Sequence, residues 1–133
     1  IGGTTDVASR PEFVDRQRTR MIDGQAVTGW FTEDFLLSEL RTLRARERLP
    51  ELRPHNSAYD GRFSIPTFAE VIELAQRRSR EIGRTIGIYP ELKHPTYFRG
   101  IGLPMEGVLV AELNQAGWRD RHAPVFVQSF EVE

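Results

Sequence analysis

The stretch Thr85-Ile-Gly-Ile-Tyr-Pro-Glu-Leu-Lys93 limits the fold more than any other. It opens as an apolar, β-branched run of the kind that forms a buried strand, and it ends in a proline and two opposite charges. Successive side chains of a strand point to opposite faces, so Glu91 and Lys93 share one face and Leu92 takes the other. Pro90 has no N–H to give a ladder, which predicts that regular pairing stops close to it. A carboxylate and an ammonium then leave a core together at a strand end, where α/β folds place their active sites. The spacing allows two readings: an ion pair that closes a strand, or a metal-ligating carboxylate beside a phosphate-binding lysine.

The elements around this stretch carry their own signals. Thr67-x-x-Glu70 is a capping box, and Phe68, Val71, Ile72 and Ala75 come after it at helical spacing. Arg77, Arg78 and Arg80 fill the last turn, and Gly83 is the expected residue just past the helix. His94-Pro95 through Gly102 reads as a loop. A third helix is expected from Pro104, with Met105, Leu109 and Leu113 on one face and Val108 beside them, ending at Gly117. Pro124-Val-Phe-Val-Gln-Ser-Phe130 is a second strand. Helix, strand, helix, strand predicts a parallel sheet with right-handed crossovers. Both strand ends then meet on one rim, bringing Glu91 and Lys93 beside Gln128, Ser129 and Phe130. His94 adjoins the pair and is a candidate ligand contact or a turn residue with a packed ring.

The first half is less regular. Residues 1 to 31 read as loop with short extended pieces, and Asp23-Gly24 is a turn signal. A first helix is expected after Thr32 as N-cap, with Leu36, Leu40 and Leu43 along one stripe, fading before Pro50. Trp30-Phe31 before that cap suggests a hydrophobic staple or a ligand-facing aromatic pair. Residues 50 to 66 carry too many prolines and turn residues for a regular element, with Asp60-Gly61 as a turn.

Composition excludes several function classes. The 133 residues suffice for one modest core. A formal net charge of −1, with Glu39 and Glu47 set among the arginines of residues 41 to 48, gives no basic stripe for nucleic acid. The chain has no cysteine, hence no disulfide or thiolate metal site. No apolar run approaches the roughly 20 residues of a membrane span. P-loop, EF-hand, GxSxG and HExxH motifs are absent.

In its order of motifs the chain resembles the glycerophosphodiester phosphodiesterase family, in particular its bacterial, periplasmic-type branch. Gly3-Thr-Thr-Asp-Val7 is similar to the segment after that family's His-Asp motif. Gly29-Trp-Phe-Thr-Glu-Asp-Phe35, Leu43-Arg-Ala-Arg-Glu-Arg48 and Tyr59-Asp-Gly61 resemble its insertion. Ile65-Pro-Thr-Phe-Ala-Glu-Val71, Tyr89-Pro-Glu-Leu-Lys-His-Pro95 and Val127-Gln-Ser-Phe130 resemble a helix start and two strand ends.

The resemblance implies a fold, an activity and a set of roles. The fold would be part of a (β/α)8 TIM barrel, with a loop-rich insertion over about residues 10–64 and βα units over 65–133. The activity would be metal-dependent hydrolysis of glycerophosphodiesters to glycerol 3-phosphate and an alcohol. Glu91 would ligate the divalent cation, calcium first and magnesium second, and Lys93 would contact the substrate phosphate. Gln128, Phe130 and His94 would line the substrate pocket. The family's His-Arg-Gly strand, Glu-x-Asp pair and His-Asp motif would all precede Ile1, so no acid–base histidine is expected here. Such a piece should be inactive alone and need a complementary fragment or a second copy for stability. A periplasmic or secreted location is implied, with a small-molecule substrate as the partner. A non-catalytic binding module on the same barrel and a related phospholipase are the alternatives.

Overall fold

The computed structural model describes residues 1–131. They form two compact units, Ile1–Pro66 and Thr67–Glu133. Both helices and extended pairings are present, so the fold is mixed α/β. Among the described residues no helix is long and apolar enough to cross a membrane.

The first unit is built on three buried side chains, Val7, Phe13 and Leu43, with Trp30, Phe35, Leu40 and Ile65 packed around them. Phe13 and Phe35 meet edge to face at 5.2 Å, a favoured aromatic geometry. Trp30 is neither a staple nor a ligand-facing ring: its indole packs on this core and donates Nε1–H to the Phe13 carbonyl at 2.8 Å. Short 3₁₀ turns at Val7–Ser9 and Pro11–Arg16 bring Val7 and Phe13 inward.

The extended pieces expected early in the chain form a hairpin of β1 (Arg18–Ile22) and β2 (Gln25–Gly29), paired antiparallel. Asp23 and Gly24 both have positive φ, 51° and 75°, as a two-residue turn that matches the strand twist requires.

The long helix expected after Thr32 is not formed. A 3₁₀ turn at Thr32–Asp34 is followed by extended backbone at Phe35 and Leu36, then by a single turn, α1 (Leu37–Leu40). Glu39 accounts for the break. Its carboxylate accepts the Leu36 N–H at 2.8 Å and both guanidinium prongs of Arg16, which holds the turn locally instead of letting it continue. Beyond it the chain straightens: Thr5 bridges Ala45 and Arg44 bridges Ser64, both antiparallel. Leu43 therefore reaches the core from an extended segment, not from a helical stripe.

In the second unit, α2 (Phe68–Ile82) matches its sequence signature. Thr67 Oγ1 accepts the Glu70 N–H at 3.3 Å, Glu70 Oε2 accepts the Thr67 N–H at 2.8 Å, and Gly83 closes the helix at φ 69°. Ser79 joins the end of α2 to the extended stretch after it, donating to the Ala75 carbonyl and accepting the Ile86 N–H at 2.8 Å. The segment after His94, expected as loop, contains a helix, α3 (Pro95–Gly100). Pro95 at its first position explains why: the fixed φ suits a helix start, and the missing N–H costs nothing there. The last helix, α4 (Glu106–Gln115), buries Leu113 and is followed by Gly117 at φ 81°. Val108, expected on the packed face, is 62% exposed. Gln76 of α2 reaches the Ala116 carbonyl after α4 at 3.1 Å.

Candidate functional site

The two stretches expected as strands form no regular strand among the described residues; they meet at two isolated bridges, and these are parallel. Ile88 bridges Val125 and Glu91 bridges Gln128. Ile88 N–H donates to Pro124 O at 2.9 Å and Phe126 N–H to Ile88 O at 3.1 Å. Further along, Gln128 N–H donates to Pro90 O at 2.9 Å and Leu92 N–H to Gln128 O at 2.8 Å. Pro90 interrupts the ladder, since it has no N–H to give, but it does not end the pairing as expected: its carbonyl still accepts the Gln128 N–H and the bonding resumes at Leu92. Gly87 permits this approach. A Cβ there would stand 3.0 Å from the Pro124 carbonyl oxygen.

Register then decides which side chains share a face. Bridged residues of a parallel pair point the same way, and residues two apart repeat that direction. Tyr89, Glu91 and Lys93 thus join Phe126, Gln128 and Phe130 on one face. Along residues 85 to 93 exposure alternates strictly, with Glu91 and Lys93 exposed and Leu92 half-buried. Tyr89, Phe126 and Phe130 are 67%, 77% and 79% exposed, while Gln128 is half-buried between them. Glu91 and Lys93 form no ion pair with each other among the described residues, so the strand-closing ion pair is not what this spacing produces.

His94 shapes the turn after Lys93 through its backbone. It sits at φ 55°, ψ 48° and is the residue from which α3 starts, with its carbonyl accepting the Phe98 N–H at 3.1 Å. That left-handed turn redirects the chain directly after Lys93. Glu131 carries no signal in its local sequence, yet it accepts the Thr96 N–H at 2.9 Å. An apolar groove of about 550 Å³ lies beside the same strand end, lined by Phe68, Pro90, Leu92, Met105 and Leu109 and bordered by Glu91. Among the described residues, Glu91 does not belong to any group of three His, Asp or Glu side chains close enough to share an ion.

No family model matches the chain. Curated proteins do. A glycerophosphodiester phosphodiesterase of Arabidopsis thaliana, GDPD6, is 38% identical over 142 aligned positions that take in 98% of this chain. Glycerophosphodiester phosphodiesterases of Treponema pallidum and Haemophilus influenzae are 30% and 26% identical, again over 98% of it. The chain spans 36% of the length of each of these relatives. Along 98% of its own length the chain is thus similar in sequence to glycerophosphodiester phosphodiesterases.

Proposed function

We propose that this stretch supplies one sector of the active-site rim of a metal-dependent glycerophosphodiester phosphodiesterase. The complete protein would hydrolyse a glycerophosphodiester to glycerol 3-phosphate and an alcohol. The observation that supports it best is the parallel register, which gathers Glu91, Lys93, Gln128 and Phe130 on one face at the C-terminal ends of adjacent strands. The relatives' names supply the reaction class.

The donor set fits a hard divalent cation in part. A carboxylate at Glu91 and an amide oxygen at Gln128 are the ligand types that calcium takes, and they face the same way. Two oxygens are a fraction of the six to eight that calcium collects, so the remaining ligands would come from elsewhere in the complete protein. Bound there, the cation would neutralise charge developing on the phosphoryl oxygens. Lys93, exposed on that face, would meet a non-bridging phosphate oxygen and hold the diester in register. Phe130 would offer an apolar wall to the glycerol or head-group side, and Gln128 a hydrogen bond. General acid–base work would fall to other groups of the complete protein.

In this reading the complete fold is a (β/α)8 barrel with residues of about 10 to 64 inserted between its units. The stretch alone is inactive, and the rest of the barrel, or a second copy, covers the exposed Tyr89, Phe126 and Phe130. The location is periplasmic or secreted. The test is Glu91→Gln in the complete protein. Activity on glycerophosphocholine should fall at least about 100-fold, with a matching loss of metal affinity. Unchanged turnover and unchanged affinity would overturn the reading.

A further inference from the structure

The turn after Lys93 is held from a distance. Residues 94 to 96 start α3, and a helix start leaves its first N–H groups without partners. Ordinarily the N-cap side chain satisfies one of them. Here the N-cap is His94, in left-handed backbone, and its side chain makes no capping hydrogen bond. Pro95 has no N–H, so the first donor to satisfy is that of Thr96. It is satisfied by Glu131 Oε2 at 2.9 Å, from a residue 35 positions further along the chain. A Glu131 oxygen and a His94 ring nitrogen lie within 4.8 Å of each other. Glu131 is itself fixed, since its N–H donates to Ser129 Oγ at 3.1 Å.

These contacts tie the two strand ends together beyond the last backbone bond. Among the described residues, Leu92 N–H to Gln128 O is the last backbone bond between the two stretches, and Lys93 is the next residue. Without a further tie, Lys93 would sit on a loop free to swing. Glu131 supplies that tie on the far side of Lys93. A charged acceptor at a helix start is also the favourable sign for the peptide dipoles there.

We propose that Glu131 is a positioning residue for the candidate phosphate site: by capping α3 across the strand pair, it fixes the turn at His94 and so the direction of Lys93. This rests on the reading of Lys93 as a phosphate contact. A purely structural Glu131 would alter stability and leave substrate binding alone. A positioning Glu131 acts through Lys93, so the two should not be independent.

The experiment is a double-substitution cycle in the complete protein, following hydrolysis of glycerophosphocholine. Glu131→Ala should lower kcat/KM about tenfold, chiefly by raising KM. Glu131→Gln keeps an acceptor for the Thr96 N–H and should stay within about threefold of the unmodified protein. In a Lys93→Ala background, Glu131→Ala should add less than about twofold. Independent, multiplying effects of the two substitutions would overturn the proposal, as would Glu131→Ala with unchanged KM and kcat. If Lys93→Ala itself changed nothing in a folded sample, the reading of the phosphate site would fall and this proposal with it. Should Glu131→Ala not fold, Glu131→Asp, one methylene too short to reach the amide, replaces it in the same cycle.

Discussion

Arg16 and Glu39 meet in a two-pronged ion pair, with Nη1 and Nη2 at 2.7 and 2.6 Å from the two carboxylate oxygens. The guanidinium lies 5.1 Å from the ring centroids of both Phe13 and Phe35, so one arginine ties the 3₁₀ turn, the aromatic edge of the core and α1 together. Its hydrogen bonds, and after them that from the Leu36 N–H, lower the Glu39 carboxyl from its ordinary 4.5 to about 2.

That depression fixes a pH dependence. A carboxyl whose folded pKa lies below its unfolded one contributes stability above the unfolded value, and the contribution disappears as pH falls through the folded one. The contribution of Glu39 is therefore complete above about 4.5 and lost as pH falls towards about 2. Glu39→Gln should lower the Tm of the complete protein at neutral pH, and the gap to the unmodified protein should close over that acid window. Thermal unfolding across a pH series checks this. A gap that stays constant into acid would show that the pair contributes through shape and not through charge.

Leu43 carries the core of the first unit. It is fully buried and touches the cluster of Val7 and Phe13 from an extended segment bridged on both sides. Leu43→Ala should destabilise by about 2–5 kcal/mol, as truncation of a leucine at a packed site does. Chemical denaturation measures it, and a change below about 1 kcal/mol would mean that the site collapses around the cavity.

Gly87 and Gly107 make a matched pair. A methyl group at Gly87 would press on the Pro124 carbonyl at 3.0 Å, inside the parallel pairing, whereas nothing stands within 4 Å of one at Gly107 in α4. Gly87→Ala should cost about 1–3 kcal/mol and speed hydrogen exchange at Ile88 and Phe126, whose amides make the adjacent bonds. Gly107→Ala should stabilise by up to about 1 kcal/mol through helix propensity alone. Equal effects at the two positions would contradict a close strand approach at Gly87.

Local chemistry made α2, the Asp23-Gly24 hairpin turn and the Glu91–Gln128 rim legible in the sequence, because each depends on neighbours or on a two-residue period. The features it concealed depend on distant partners. The leucine spacing of Leu36, Leu40 and Leu43 is a good helix pattern, yet Arg16 recruits Glu39 from 23 residues away and the segment beyond pairs as extended chain. The α3 helix had a local signal in Pro95, but its cap comes from Glu131. Pro90 was expected to end the pairing, which instead resumes beyond it because the Pro90 carbonyl still accepts the Gln128 N–H.

The functional reading stands on Glu91 and Lys93 serving a metal-assisted phosphodiesterase site. Its sharpest test is release of glycerol 3-phosphate from glycerophosphocholine by the complete protein, with calcium and then with excess chelator. Release should occur with calcium, cease with chelator and return when calcium is restored. A folded protein that releases nothing with any divalent ion would contradict that role, leaving Glu91 and Lys93 as charged residues at a strand end.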